Sequence, residues 1–433
     1  MKRQIILTLA LISLATSMLL TSCKKKEGFD LNLTLSTSER EMLLELCSQP
    51  QDSLFLLAVK TADSLAAEDT TDFFGLFYNA WKLKSPDSLF KPLFLSNMKE
   101  KSDSAASEEG VIDWMRKEYR LSVEKTAEVL KKRLDDYDLY DFNVRISDTL
   151  GILVVKMEGV KDTATALDLV RMQGKLGFWE TYEFADVYEH ITRADAVLHA
   201  MMVRAAARKK SDSTSADSTA VDTAGGQQTE AQKYAFDHPL FARLKLNLVK
   251  EKNVYNPATG PVVGTCKLRD TAKFHQLMAY PSVEALFPED LVMTWAFRPA
   301  DEQKKELELL ALKKAEGTCG SSICGCMIVK AEASIEEGKS TEILMSLNEN
   351  GTVLWAEMTQ KNIGRSIAIV IDGYAYTWPV VQSKIEKGNS MITGNFTPAE
   401  AEKLALILRM GALPLRLTIE EMQVSGEPYV EEQ

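Results

Sequence analysis

Asp372-Gly373 lies between two runs of strand-forming residues, Ser366-Ile-Ala-Ile-Val-Ile371 and Tyr374-Ala-Tyr-Thr-Trp378. Two residues of this kind between strands specify a hairpin with a left-handed turn, because that turn twists the same way as the strands it joins. Pro379 closes the second strand, since it has no amide hydrogen with which to continue a ladder. The surrounding stretch, Glu342 to Pro414, reads as a unit. Ile343–Leu347 is short and apolar enough for a strand, and Asn348-Glu-Asn-Gly351 reads as a turn. Val353, Leu354, Ala356 and Met358 then recur near helical spacing, with Asn362 and Gly364 as the stop. Met391-Ile-Thr393 adds a short strand. Thr397 is placed to cap a helix, Pro398 suits its first position and Glu400 completes a capping box. Ala401, Leu404, Ala405 and Leu408 form its apolar stripe, and Gly411 and Pro414 end it. The order is β-α-β-β-(β)-α, an α+β unit.

The residues themselves carry a further signal. Asn362-Ile-Gly364-Arg365, Asp372-Gly373, Trp378-Pro379, Ile385-Glu-Lys-Gly388, Ile392-Thr-Gly394, Phe396-Thr-Pro-Ala-Glu-Ala401 and Gly411-Ala-Leu-Pro414 follow one another in this order. The string resembles the end of the large periplasmic domain of SecD, a membrane protein family that assists Sec-dependent export. Arg133-Leu134, Met157-Glu-Gly-Val160 with Asp162, and Gly177-Phe-Trp-Glu-Thr-Tyr-Glu183 resemble the same family. So do Gly260-Pro-Val-Val-Gly264, Asp270-Thr-Ala-Lys273 and Ala285-Leu-Phe-Pro288, which are similar to SecD–SecF fusions of the Bacteroidetes type. The resemblance covers most of the chain from about residue 122 onward.

At the other end, Lys2 and Arg3 precede an apolar run from Ile5 to Leu20 that closes in Leu20-Thr-Ser-Cys23. A charged n-region, an apolar h-region and small residues before a cleavage site read as an export signal. The ending resembles a bacterial lipoprotein signal, which implies acylation of Cys23 and cleavage before it. A processed lipoprotein cysteine carries more than one acyl chain, as stable anchoring requires, and Lys24, Lys25 and Lys26 add attraction to anionic headgroups. Residues 1–22 are therefore expected to be removed, leaving 49 basic against 62 acidic residues, a balance of −13. An acidic chain of this kind argues against nucleic acid as a partner.

Between these ends the chain divides by composition and periodicity. Residues 23–116 read as a strand (Phe29 to Leu35) followed by helices, with an aromatic cluster at Phe73–Trp81 weighed as core packing rather than as a peptide-binding patch. Lys99–Gly110 reads as a loop. Residues 117–185 run α-β-β-α-β: Val123, Ala127, Leu130 and Leu134 share a helix face, and strand-like runs lie at Phe142–Ile146, Ile152–Met157 and Lys175–Glu183. This order suits a ferredoxin-like split sheet. Residues 186–236 combine a helix, His190–Lys210, with a linker at Ser211–Gln232 that lacks apolar period. Met201, Met202 and Val203 read as packed residues before they read as an adaptable binding surface. The resemblance implies that 117–185 is the first part of a base, that 237–395 is an inserted α+β head, that 396–428 completes the base, and that 429–433 is a tail.

Chemistry is sparse. Cys319-Gly-Ser-Ser-Ile-Cys324-Gly-Cys326 is the one constellation of reactive groups. It reads as a disulfide between Cys319 and Cys324 or Cys326, as inert thiols, or as part of a zinc site if Cys266 or a histidine joined it; an oxidising envelope favours the disulfide. His238 and His275 stand alone in sequence and read as structural. No Ser-His-Asp pattern, phosphate loop, HExxH or dinucleotide fingerprint is present. The expectation is of no enzyme, no metal, no cofactor and no small-molecule substrate.

Compared with SecD, the first membrane helix is expected to be replaced by the lipoprotein signal. The glycine-rich box that follows that helix in the family is reduced to Phe29-Asp-Leu-Asn-Leu33. The later membrane helices, with the ionisable groups that ion-driven work needs, are likewise expected to be missing. The resemblance thus implies a lipid-anchored, periplasm-facing protein that assists export by binding translocating polypeptide or docking on the Sec translocase. The alternative is an envelope structural or interaction lipoprotein that reuses the fold.

Overall fold

The computed structural model describes residues 28–50, 52–69, 71–98, 107–137, 139–212, 229–300, 303, 305–315, 321–336, 340–393 and 396–427. The expected signal segment, Cys23, Cys319 and Gly394 lie outside these residues.

β1 (Gly28–Ser36) is followed by α1 (Glu39–Leu46), α2 (Ser53–Leu65), α3 (Phe73–Lys84) and the long α4 (Glu108–Asp135). Next come β2 (Asp141–Ile146), β3 (Ile152–Val160), α5 (Thr163–Arg171), β4 (Leu176–Glu180) and α6 (Phe184–Asp212). After α7 (Glu230–Asp237) the chain runs β5 (Leu244–Leu246), β6 (Leu248–Glu251), β7 (Val254–Pro257) and β8 (Val262–Lys267). It continues through α8 (Thr271–Met278), α9 (Pro281–Glu284), β9 (Leu291–Trp295) and β10 (Glu306–Lys313). It then passes through β11 (Ile323–Cys324), β12 (Ile328–Ser334), β13 (Glu342–Leu347) and α10 (Glu349–Lys361). β14 (Ile367–Ile371), β15 (Tyr374–Thr377), β16 (Asn389–Thr393), α11 (Pro398–Met410) and β17 (Thr418–Glu427) complete it. The fold is α+β with a helical N-terminal region. The chain divides into two compact units, 1–171 with 414–433, and 172–413.

In the first unit the side chains of Ser38, Asp52, Asp72 and Ser107 each accept the amide three residues on, which starts α1, α2, α3 and α4 in turn. The Phe73–Trp81 aromatics are core. Phe77 meets Phe55, Phe90 and Phe94 edge-on at centroid distances of 5.6, 5.4 and 6.3 Å, the arrangement that aromatic quadrupoles favour. Glu108 is buried beneath this cluster and stays satisfied by the Phe90 amide at 2.8 Å and the Lys82 ammonium. The sheet runs β17-β1-β3-β2 in space, antiparallel throughout. Leu31, Leu33 and Leu35 of β1 stand opposite Met157, Val155 and Leu153 of β3, and all six are buried. The stripe Val123, Ala127, Leu130 and Leu134 of α4 is buried as its spacing requires.

The second unit holds three larger sheets, ordered β11-β4-β14-β15, β12-β13-β16 and β5-β8-β10-β9. One core gathers around Phe178, Trp355, Ile367, Ile369 and the inner face of α11. Another gathers around α6, whose Phe184, Val187, Ile191, Ala194 and Leu198 recur at helical spacing and pack on β8 to β10. Met202 and Val203, further along α6, are exposed rather than packed.

Four local readings change. Asn348 does not turn the chain but caps α10, accepting the Gly351 amide at 2.8 Å, so Glu349-Asn-Gly351 form the first helical turn. The end of the expected linker is helical, because Thr229 and Gln232 form a capping box that opens α7. Glu108–Gly110, at the end of the expected loop, already belongs to α4. Finally, β4 pairs with β11 and β14 rather than with β2 or β3, and α11 packs against β12 and β13. The expected base, 117–185 completed by 396–428, therefore does not coincide with the first unit, which takes up the chain again only at residue 414. Strand periodicity shows that β4 exists but cannot name its neighbours: Leu176, Gly177 and Phe178 are all buried, as befits a strand between two others.

The hairpin reading holds: Asp372 and Gly373 have φ of +52° and +84°, and β14 pairs antiparallel with β15. Gly388 is more constrained still. At φ +63° a Cβ there would lie 2.0 Å from Thr352 Oγ1, whereas one at Gly373 would meet nothing within 4 Å. In urea denaturation Gly388→Ala is expected to cost about 2–3 kcal/mol and Gly373→Ala about 1 kcal/mol, the difference being the clash.

The capping box at Thr397 is also formed. Glu400 Oε2 accepts the Thr397 amide at 2.8 Å and its hydroxyl at 2.9 Å, and the Glu400 amide returns to Thr397 Oγ1 at 3.3 Å. Burial opposes ionisation of Glu400, but Thr397 and the Arg298 guanidinium outweigh it and hold the carboxyl below its ordinary value of 4.5. Thr397→Ala is expected to cost about 1 kcal/mol. A carboxyl lowered in the folded state contributes stability above its unfolded value and loses it as pH falls through the folded one. The deficit of Glu400→Gln relative to the parent should therefore be present at about pH 7 and shrink at about pH 3 in urea melts.

Candidate functional site

The described family-motif residues of the sequence do not converge on a reactive centre; several of them are turns and caps that shape a groove. Asn362, buried at the end of α10, turns its side-chain amide back to the Met358 carbonyl at 2.9 Å. Gly364, at φ +81°, then lets the chain reverse. From here the Gly364 amide donates to the Val381 carbonyl at 2.8 Å and the Val381 amide to the Arg365 carbonyl at 2.9 Å. The Ile367 amide donates to the Pro379 carbonyl at 3.1 Å. Residues 379–381 are thereby pinned along the start of β14. Thr359 Oγ1 fixes the next stretch by accepting the Ile385 amide at 3.0 Å. Gly388 closes it, its carbonyl receiving the Leu347 amide at 2.9 Å.

The result is a cleft of about 480 Å3 with residues 379–383 and Ile385 as one wall. Leu344 of β13 and Asn389, Ser390 and Met391 of β16 form the facing wall, and Trp355, Ile367 and Ile369 contribute from the core. Leu344 and Met391 are opposite one another in the β13–β16 ladder and stay 45% and 43% exposed. Val380, across the cleft, is 50% exposed. Such a volume is in the range of ligand clefts, and β16 is an edge strand of its sheet. Among the described residues that line the cleft none is titratable, so these side chains offer neither a proton donor nor an acceptor for acid–base chemistry. Its chemistry is that of apolar contact beside an accessible strand edge.

Asp372 lies outside the cleft: its carboxylate accepts the amides of Gly174 and Lys175 at 3.1 and 2.8 Å, capping the turn into β4. Gly411, at φ +88°, follows α11. Pro414 comes three residues later, where the chain returns to the first unit. The sequence marked all these positions but not the groove, whose walls come from segments with no shared pattern; exposed Leu344 and Met391 on β-strands were the available signal.

The other candidates have structural partners. His238 Nδ1 meets Asp195 Oδ2 at 3.0 Å, and His275 Nε2 accepts the Trp295 indole N–H at 2.7 Å. Among the described residues no group of three His, Cys, Asp or Glu side chains is placed to hold a metal. The disulfide joins Cys324 to Cys326 instead of joining either to Cys319, the pairing expected from the sequence, while Cys47 and Cys266 are buried free thiols. Among the described residues no helix is long and apolar enough to cross a membrane.

Comparison with known proteins shows what this chain is similar to. Residues 304–415 match the model of the SecDF P1 head subdomain. The protein translocase subunit SecD of Rhodothermus marinus is 26% identical over 410 residues, 93% of this chain and 62% of that protein. The corresponding subunit of Acidaminococcus fermentans is 36% identical over 118 residues, 27% of this chain and 28% of its own. The chain thus spans under two thirds of the length of these relatives. A solved structure of SecDF, described as a membrane component that enhances protein export, aligns with 70% of this chain and 92% of its own at 18% identity. Its TM-score is 0.35, too loose a likeness to bear on how the two units are arranged. Residues 304–415 are thus similar to the SecDF P1 head subdomain, and most of the chain is similar to SecD.

Proposed function

We propose that this protein is a non-catalytic, lipid-anchored, periplasm-facing relative of SecD that assists Sec-dependent export by holding an extended segment of translocating polypeptide. The observation that carries this reading is the cleft between residues 379–383 with Ile385 and the β16 edge, which lies within the SecDF P1 head match. An extended peptide beside an edge strand gains main-chain hydrogen bonds, while alternate side chains settle into the apolar groove. Leu344, Met391 and Val380 are placed to receive those side chains. The apolar character of the described lining residues suits capture and release of many sequences, since apolar contact discriminates weakly between similar side chains. Similarity to the SecD subunit of Rhodothermus marinus over 93% of the chain favours a role in export over a purely structural role in the envelope. The partners are accordingly exported polypeptides and components of the Sec translocase.

The anchor is supported by Leu20-Thr-Ser-Cys23 after the apolar run. Cys23→Ser is expected to move the protein from the membrane to the soluble fraction, with loss of the acyl mass on the N-terminal peptide. An unacylated Cys23 in the wild type would remove the anchor from the proposal.

A photo-crosslinker at Met391 in intact cells is expected to trap exported polypeptides, and Leu344→Asp should reduce the adducts about tenfold or more by placing a charge in the groove. The same crosslinker at exposed Glu402 on α11 serves as the background. Equal adducts from both sites, unaffected by the Leu344 change, would dismiss the groove as the binding surface.

A further inference from the structure

The groove leaves one chemical feature unused. The disulfide joins Cys324, the last residue of β11, to Cys326, two positions on. It encloses Gly325 alone, and in the chain-entropy picture the stabilisation from a crosslink grows with the length of loop it closes. This bond is therefore a poor staple. β11 is held by other means: Ile323 is fully buried, and Ile323 and Cys324 pair with Phe178 and Gly177 of β4. The Ser322 amide donates to the Phe178 carbonyl at 3.0 Å, and Ser321 Oγ to the Ile323 carbonyl at 3.1 Å. On the far side the Asn348 amide donates to the Met327 carbonyl at 2.8 Å, fixing the segment at the start of α10. Both flanks are tied down whatever the state of the sulfurs.

Among the described residues, accessibility separates this pair from the other cysteines. Cys326 is exposed and Cys324 half-buried, whereas Cys47 and Cys266 are 6% and 1% exposed. Exchange needs a thiolate to reach a sulfur, and exposed disulfides are the ones that exchange. We propose that Cys324–Cys326 is a thiol–disulfide exchange site that takes two electrons from a dithiol protein.

In the first step a partner thiolate attacks Cys326 Sγ. The bond to Cys324 breaks, a mixed disulfide forms on Cys326, and the electron pair leaves on Cys324 Sγ. The partner's second thiolate then attacks the partner sulfur of that mixed disulfide, which closes the partner's own disulfide and expels Cys326 as thiolate. The two protons released by the partner's thiols pass through water to Cys324 and Cys326. The partner is oxidised by two electrons and the pair is reduced to two thiols. The buried cysteines stay outside this chemistry: burial raises the Cys47 thiol and pushes Cys266 up to about 11, so neither supplies much thiolate near neutral pH.

The test uses the protein purified without reductant, exposed to excess reduced glutathione, quenched in acid, alkylated and mapped by mass spectrometry. Cys324 and Cys326 are expected to open together, about tenfold or more sooner than Cys47 and Cys266 take up label. Cys324→Ser is expected to retain glutathione on Cys326. The double variant C324A/C326A should melt within about 5 °C of the parent. The proposal is overturned if the bond resists glutathione until the protein unfolds, or if Cys326 is free or joined elsewhere in the isolated protein. A larger fall in melting point for the double variant would also overturn it, since the bond would then be a staple.

Discussion

The pairing of β14 with β4 is the interaction on which the second unit depends. It joins segments nearly two hundred positions apart, and Asp372 sits at its end with its carboxylate on the amides of Gly174 and Lys175 and its own amide on the Lys175 carbonyl at 3.0 Å. At φ +52° Asp372 also occupies a left-handed backbone position in which Asp is one of the more tolerant side chains. One residue therefore makes the hairpin turn and fixes the register of a distant strand. That register matters because Phe178 stands opposite Ile369 in the core; a slip of one residue would send Phe178 to the other face of the sheet.

The groove inherits its form from this frame. Ile367 and Ile369 of β14 stand in the cleft, and the amides around Gly364 and Arg365 lay residues 379–381 alongside. The motif glycines serve backbone geometry: Gly364 and Gly388 turn the chain at the two places where the wall begins and ends. Such residues tolerate substitution poorly for conformational reasons, although they touch nothing that binds. The side chains facing the opening are ordinary apolar ones. A groove of this type can receive varied sequences because its specificity rests on backbone pairing and shape.

Much of the local structure was legible in the sequence because it follows from short-range chemistry. The Asp372-Gly373 hairpin, the Thr397–Glu400 capping box and the apolar stripe of α4 each depend on residues within one or two turns of one another. Asn348 and Thr229 are equally local but less distinct, since the polar run Asn348-Glu-Asn-Gly351 reads as a turn and a capping residue in a polar stretch reads as linker. What could not be read was the choice of partners. β4 and β14 announce themselves as strands, yet nothing in either run says that they belong together, or that α11 packs with β12. The groove was hidden for the same reason, since its two walls come from separate segments, residues 379–383 with Ile385 and the β13–β16 pair.

β1 and β17 form one ladder, from Gly28 opposite Glu427 to Ser36 opposite Thr418, and the whole second unit lies between them in sequence. A chain delivered from its N-terminus presents β1 long before the partner for one of its edges exists. Residues 172–413 are complete while the first unit still lacks a strand. Closing that ladder depends on a contact of very long sequence separation, which makes it a slow step of assembly. Until residues 418–427 arrive, the β1 edge is open to any other extended segment, so maturation of the first unit waits on delivery of β17.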